Sequence, residues 1–540
     1  MILRLAPGTD AEGAIRGARG TPGRRLASVG AQVADIPDAS LDALSHVPGV
    51  DGISLDRRIE GTLERTGATI GATWVRGNLG LDGTGVGVAI VDSGVANWHD
   101  DLGNDRVMRF VDFVNFQPLA YDDYGHGTHV AGIIAGSGYD SGGRRSGIAP
   151  GATLLVEKVL DAAGEGYISN VIAAIDYAIA YKDQLHLRVL NLSVAAGVYE
   201  SYTTDPLTLA AKRAVDAGLV VVTAAGNLGK DAQGRPQYGG VGAPGNAPWV
   251  ITVGASSHMG TTDRSDDTVA SFSSRGPTAI DRQAKPDVVA PGVGIESLAE
   301  AGSTLYNTKP LMRLWGTVPT ATEPYISLSG TSMASPVVSG TIALMLQANP
   351  SLTPNLVKAI LEFTAETRPG YDGLTQGAGF LNARGAVELA QKAASGGAAL
   401  VASAPQDDPT PWSRHVIWGN SVVSGDALGA GAWATDVTWG ADAVKISSTG
   451  ADAVNLVWGA ACGGANCDPS TANNGLTWGT ACEAGAVCDP AAGSDVDLIL
   501  WGANAVDPAD DIVWSALIGS QSRVPVIDPA AGTDSNGAGR

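Results

Sequence analysis

Val86-Gly87-Val88-Ala89-Ile90-Val91-Asp92-Ser93-Gly94 opens on six uncharged residues and closes on a carboxylate and a turn. A short run that is apolar at successive positions fits a strand covered on both faces, as in a parallel sheet between two layers of helices. Similar runs return at Thr153 to Val159, Val189 to Leu192, Leu219 to Ala224 and Trp249 to Val253, with helical stretches between them. Residues 66–395 therefore read as one α/β domain with a doubly wound, mostly parallel sheet. Sites in such sheets lie beyond the carboxyl ends of the strands, where Asp92 stands. A carboxylate there also serves as a cap or turn former, so Asp92 alone decides nothing.

Outward from this domain the texture changes twice. Residues 1–65 alternate strand-like runs (Ile2 to Leu5, Val33 to Ile36, Val50 to Leu55) with Ala- and Arg-rich helical stretches (Asp10 to Arg19, Ser40 to Ser45), a small α+β pattern. Pro405, Pro409 and Pro411 mark a linker over 396–411. Through 412–540, Trp-Gly recurs at Trp418, Trp439, Trp458, Trp478 and Trp501, at intervals of 21, 19, 20 and 23. A period of about 20 residues is a repeat signature, and one such unit is too small to bury its own Trp. This β or irregular tail reads either as a module that binds or anchors to a surface, or as a solubilising segment whose Trp residues pack only on one another.

The 540 residues carry Lys+Arg 34 against Asp+Glu 55, a net charge of −21. Neutralising phosphates needs a basic face, so no nucleic-acid partner is expected. The tail from Val401 holds 16 acidic and 4 basic residues, −12 of that total, which leaves −9 for the first 400. No apolar run approaches the ~20 residues of a membrane span. Met1 to Pro7 lacks the basic leader and apolar stretch of a signal peptide, so neither feature is expected in the chain as given.

All four cysteines, Cys462, Cys467, Cys482 and Cys488, lie in the tail. Cys462 and Cys482 each follow a repeat Trp by four residues, and Cys467 and Cys488 each precede Asp-Pro, so they occupy equivalent places in successive repeats. Local disulfides, Cys462 with Cys467 and Cys482 with Cys488, are the simplest of the three connectivities. A four-sulfur zinc site competes but lacks the usual two-residue spacing. Paired cysteines favour an oxidising compartment, so the expected localisation is extracellular or cell-surface, with cytoplasmic as the alternative.

Three further motifs carry chemistry. Gly125-His126-Gly127-Thr128-His129-Val130-Ala131-Gly132 sets His126 at a helix start, where it can act as a general base. His126 and His129 stand three apart and lack the i, i+4 spacing and intervening Glu of a metalloprotease helix, so a packed helical role fits His129 better and no metal site is expected. Gly330-Thr331-Ser332-Met333-Ala334-Ser335-Pro336 opens a helix that stops at Asn349-Pro350. Ser332 is there either an N-cap or a hydroxyl among free N–H groups that would stabilise an oxyanion. Val220 to Asn227 ends a strand on an amide that is either a turn former or a donor to that oxyanion.

Together, Asp92, His126, Asn227 and Ser332, in that order and in these motifs, resemble the subtilisin-like serine proteases, or subtilases. The order Asp, His, Ser is the subtilisin order. The resemblance covers residues of about 70 to 395 and implies Ser332 as nucleophile, His126 as general base and then acid, and Asp92 as the carboxylate orienting the imidazole. Asn227 and the Ser332 N–H would form the oxyanion hole.

An extended protein or peptide substrate would add as a strand beside Gly164-Glu165-Gly166 and Ser193-Val194-Ala195. Val194, Ala195, Ala224, Ala225 and Gly226 would wall a pocket for an uncharged residue before the cut. Ala243-Pro244 matches a family turn and is expected to be cis. Gly136 to Gly147 replaces the family's Asn-rich calcium loop, so no cofactor is required on this reading and calcium has no recognisable loop. Residues 297–327 form a longer approach to Ser332, expected to be a surface insertion.

Residues 1–65 resemble the family's propeptide through Ile2-Leu3-Arg4-Leu5 and Val47-Pro48-Gly49-Val50-Asp51-Gly52-Ile53-Ser54-Leu55-Asp56. They would act as an intramolecular inhibitor of a proenzyme cut somewhere in Arg57 to Thr73. The expected activity is that of a serine endopeptidase. Two alternatives are a catalytically inactive subtilase-fold adhesion or binding protein and an esterase using the same residues.

Overall fold

The computed structural model describes residues 1–394 apart from 7–8, 27–29, 55–61, 104 and 232, and also 415–418, 421–424 and 516–518. The four cysteines, the linker at 396–411 and most of the Trp-Gly repeats lie outside the described residues. The chain divides into two units, Met1–Glu60 and Gly61–Arg540.

The first unit contains β1 (Ile2–Leu5), α1 (Ala11–Gly17), β2 (Thr21–Leu26), β3 (Ala31–Asp35), α2 (Leu41–Ser45) and β4 (Val50–Ser54). Its strands form one antiparallel sheet in the order β2-β3-β1-β4. Asp10 starts α1 by accepting from the Gly13 N–H at 3.0 Å, which satisfies one of the donors a helix leaves open at its first turn. Ile15 then packs with Leu3, Ala34, Ile36 and Leu44 in a core belonging to this unit alone.

In the larger unit α3 (Thr62–Thr69) and α4 (Ala72–Leu79) precede β5 (Gly87–Asp92), β6 (Val107–Asp112), α5 (His126–Ala135), β7 (Thr153–Lys158), β8 (Glu165–Gly166), α6 (Ile168–Tyr181), β9 (Leu187–Leu192), β10 (Val194–Ala195), α7 (Pro206–Asp216) and β11 (Val220–Ala224). Next come β12 (Ile251–Ser257), β13 (Thr268–Val269), β14 (Val288–Pro291), β15 (Ile295–Leu298), α8 (Thr304–Thr308), β16 (Arg313–Leu314) and β17 (Tyr325–Leu328). Four helices follow: α9 (Thr331–Ala348), α10 (Pro354–Thr364), α11 (Gly373–Gln376) and α12 (Ala383–Ala394). Beyond them are β18 (His415–Trp418), β19 (Ser421–Ser424) and β20 (Ala516–Ile518).

The main sheet runs β13-β12-β11-β9-β5-β7-β6, with β14 also on β12. Every pairing in it is parallel except the edge pair of β12 with β13. This is the doubly wound α/β fold read from the sequence. Strand β5 shows why its residues before Asp92 are apolar: Val88 and Ile90 enter the core shared with α5 and α9, while Ala89 and Val91 enter the core shared with α6 and α7.

From β5 the chain crosses to the edge strand β6, returns through β7 beside β5, and then continues through β9, β11 and β12 on the other side. That reversal opens a crevice at the carboxyl end of β5, where Asp92 sits. Residues 297–327 contribute most of a three-stranded sheet, β15-β17-β16, and bury Leu298, Leu305 and Tyr325. The stretch expected as a surface insertion thus contributes to the core.

Candidate active site

Asp92 ends β5 and is fully buried, and His126 is the first residue of α5. His126 Nδ1 donates to Asp92 Oδ1 at 2.8 Å, with Oδ2 at 3.0 Å. A carboxylate only accepts, so this contact sets the imidazole with its proton on Nδ1 and leaves Nε2 as an acceptor. Nε2 is buried and has no hydrogen-bond partner.

Asp122 holds helix start and strand end together. Its Oδ1 accepts from Ser93 Oγ at 2.8 Å and the Gly125 N–H at 2.7 Å, and its Oδ2 from the Thr128 N–H at 2.8 Å and Thr128 Oγ1 at 2.7 Å. Ser93 Oγ in turn accepts from the Gly127 N–H at 2.9 Å. A Cβ on Gly127 would collide with the Gly94 carbonyl, so this close approach needs glycine. Below them, the buried Lys158 Nζ donates to Ser93 O and Leu160 O at 2.7 Å and to Asp123 Oδ1 at 2.6 Å, fixing the turn after Asp92.

Charge around His126 follows from these neighbours. Burial pulls its pKa down, but the Asp92 charge and hydrogen bond, joined by Asp122, outweigh burial and leave it raised. His129 is pushed down to about 3 by burial and by the His126 charge. The neutral His129 donates from Nε2 to the carbonyls of Ile295 at 3.0 Å and Ile326 at 3.1 Å, the packed role its spacing indicated.

Ser332 is the second residue of α9, and Pro336 lies four residues on inside the same helix. Proline has no N–H for the carbonyl one turn back, so the Ser332 carbonyl must find another donor. Ser193 Oγ supplies it at 3.0 Å. In return Ser332 Oγ donates to the Ser193 carbonyl at 3.0 Å. Asn191 Nδ2 donates to Ser193 Oγ at 2.9 Å, and Ser339 Oγ donates to Asn191 Oδ1 at 2.8 Å, so the nucleophile candidate is anchored through β9. Leu192 lies opposite Val91 on the neighbouring strand β5, so Ser193 follows β9 just beside Asp92. Adjacent strands are ~4.8 Å apart, which sets the Ser332 and His126 anchors on neighbouring strand ends.

Asn227 lies beyond β11. Its Oδ1 accepts from the Thr331 N–H at 3.0 Å and from Thr331 Oγ1 at 3.1 Å. These bonds fix the amide beside the start of α9. The Nδ2 donors are buried and unpartnered. An unsatisfied amide donor thus lies beside the start of α9, which carries Ser332, and an unsatisfied imidazole acceptor lies at the start of α5.

Gly164 is buried, Glu165 exposed and Gly166 half-buried; β8 holds the last two. A Cβ on Gly164, where φ is +78°, would strike the Tyr124 ring, which itself lies 6.3 Å from the His126 ring. Ser193, Val194, Ala195, Ala224, Ala225 and Gly226 are all buried and uncharged. The Ala243-Pro244 bond is cis.

His99, Asp101 and Asp140 bring potential metal ligands within 4.8 Å of one another, with Asp140 in the loop 136–147. Asp101 Oδ1 accepts from the Asp140 N–H and Oδ2 from the Tyr325 hydroxyl, both at 2.9 Å, while His99 Nδ1 accepts from the Asp101 N–H at 3.1 Å. Only Asp140 Oδ1 is left without a partner in this group. Calcium takes about six to eight oxygens, so this donor set does not fit it.

The subtilase family model matches residues 83–383, more than half of the chain. The chain belongs to the subtilase family. Over 357 residues it is 38% identical to serine protease AprX of Bacillus subtilis, covering 65% of this chain and 77% of that one. It is 33% identical over 342 residues to a protein of Thermus sp. named extracellular serine proteinase, covering 61% of this chain and 70% of that one. A solved cold adapted subtilisin-like serine proteinase aligns at 31% identity and a TM-score of 0.41, covering 56% of this chain and 88% of the other. This subtilase is a serine endopeptidase acting on protein substrates. Among the described residues no helix is long and apolar enough to cross a membrane.

The sequence reading named Asp92, His126, Asn227 and Ser332 but passed over Asp122, Asn191 and Lys158. Their signal was present: each is a polar residue in or beside an apolar stretch, and a buried polar group calls for a partner.

Proposed function

We propose that this subtilase cleaves peptide bonds with Ser332 as nucleophile, His126 as proton carrier, Asp92 as its orienting carboxylate and Asn227 as oxyanion donor. The observation that carries the reading is the buried His126 ring, held by Asp92 at 2.8 Å with Nε2 unengaged. In the productive state Ser332 Oγ leaves the Ser193 carbonyl and gives its proton to Nε2 as it attacks the substrate carbonyl carbon. The tetrahedral oxyanion takes hydrogen bonds from Asn227 Nδ2 and the Ser332 N–H. His126 then protonates the departing amine, and water, deprotonated by the same nitrogen, releases the acyl group from Ser332. No cofactor takes part in these steps.

Specificity is broad on this reading, because the backbone of β8 and β10 is what a substrate strand pairs with. Uncharged walls at Val194, Ala195, Ala224, Ala225 and Gly226 favour an uncharged residue before the cut. The chain is made as a proenzyme, with residues 1–65 as inhibitor, 66–395 as peptidase and the tail as a surface contact outside the cell. Labelling by a fluorophosphonate with casein cleavage, both lost in Ser332→Ala, is the expected result. An unlabelled protein would leave the inactive-scaffold reading standing, and ester turnover without casein cleavage would favour an esterase.

A further inference from the structure

Between β8 and β10, the two segments assigned to substrate, runs a strand from the far end of the chain. Strand β20 pairs in parallel with both neighbours. Ala516 lies opposite Val194 and Leu517 opposite Ala195; on the other side Leu517 lies opposite Glu165 and Ile518 opposite Gly166. The cleft strand of this enzyme is thus drawn from its own tail.

Direction decides what such a strand can do. Strand β10 begins next to Ser193, whose carbonyl accepts from Ser332 Oγ at 3.0 Å, and runs away from that point. A parallel neighbour also starts at the Ser332 end and runs away. An acyl donor does the opposite: the carbonyl it offers to Ser332 closes its run, so its chain direction points at the nucleophile and antiparallel to β10. Strand β20 therefore lies backward in the cleft. It takes up backbone pairing on both sides without delivering a scissile carbonyl from the acyl side.

Residues Ile512 to Ser522 around β20 carry no charge, which suits the uncharged residues of the cleft. Reach is no obstacle. Helix α12 ends at Ala394 and β20 begins at Ala516, and 516 − 394 = 122 residues of chain span far more than a domain's width at ~3.3 Å each. Two or three paired residues bind weakly when free, but tethering raises their effective concentration to roughly the millimolar range.

We propose that Ala516–Ile518 is an intramolecular, reversed occupant of the substrate cleft, through which the repeat tail restrains the protease that carries it. This rests on the protease reading above. The inhibitory stretch proposed for the N-terminal unit needs the same groove, so the two compete and the tail acts where that stretch has been removed.

The test compares, each after processing has removed the N-terminal unit, the enzyme with its whole tail, the same enzyme with Leu517→Pro and one ending at Asp511, all on a fluorogenic peptide. Leu517 pairs with both neighbours, and proline removes its N–H without deleting the tail. Both altered forms are expected to show about a tenfold rise in kcat/KM, carried by a lower KM, with equal numbers of fluorophosphonate-reactive sites. A synthetic peptide of residues 510–523 should inhibit the shortened form competitively and be recovered uncut. Equal KM in all three forms, or cleavage of that peptide within Ala516–Ile518, would overturn the proposal while leaving the protease reading intact. Absence of labelling in every form would instead sink the protease reading and this proposal with it.

Discussion

His126 engages Asp92 through one nitrogen and nothing through the other, and both halves of that statement have kinetic consequences. Burial alone would lower its pKa below 6.5, but Asp92 and Asp122 raise it above that value. On the proposed mechanism only the neutral ring takes a proton from Ser332, so kcat/KM should climb with pH through the raised pKa. The acid limb of a kcat/KM profile is expected to have its midpoint above 6.5; a midpoint at or below it would mean that the carboxylates do not govern the ring. Asn227 is the matching case on the donor side. Its Oδ1 is tied to Thr331 and its Nδ2 is unengaged. Asn227→Leu should cut kcat by about 10²- to 10³-fold with little change in KM, the loss typical of removing the oxyanion amide of a subtilisin. A loss expressed only in KM would place Asn227 in substrate binding instead.

At the scale of an element, β7 ends on two charged residues with opposite fates. Lys158 is buried among three acceptors, while Glu157, also fully buried, has no partner for either carboxylate oxygen. Burial raises the Glu157 pKa well above 4.5, so the folded chain keeps a proton that the unfolded chain releases. That group's unfavourable share of stability therefore grows as pH rises from 4.5 toward the raised folded value. Glu157→Leu should stabilise the protein by about 1–3 kcal/mol near pH 7, and by less below pH 4.5, read as a shift of the denaturant midpoint at unchanged slope. An equal shift at both pH values would show that packing, not ionisation, is the cause. The same strand shows what was legible beforehand. Thr153 to Val159 reads as a strand from its aliphatic run, as Val86 to Val91 does for β5, because burial on two faces leaves a local pattern. The reciprocal bonds of Ser193 and Ser332, 139 positions apart, leave no local pattern. Strand β20 was equally hidden, since neither its partners nor its direction can be read from a repeat of Trp-Gly.

For the whole molecule, the division into Met1–Glu60 and Gly61–Arg540 bears on where maturation can occur. The first unit has its own core around Leu3, Ile15 and Leu44, so its release would not dismantle the larger one. Sequence alone allows a cut anywhere in Arg57 to Thr73. Within that window Thr66, Thr69, Ile70 and Ala72 are buried in the larger unit. Thr69 also donates from Oγ1 to the Thr261 carbonyl at 3.3 Å and accepts from Arg264 at 2.7 Å. A protease needs an extended, accessible segment, and cutting inside α3 or α4 would first require these contacts to break. The expected site therefore contracts to Arg57–Gly61, ahead of α3. Mass spectrometry of the incubated wild-type protein should show loss of the residues up to that point. Ser332→Ala should stay intact on its own and be trimmed at the same bond when active enzyme is added. A cut beyond Thr62, or equal trimming of Ser332→Ala alone, would exclude self-processing by this layout.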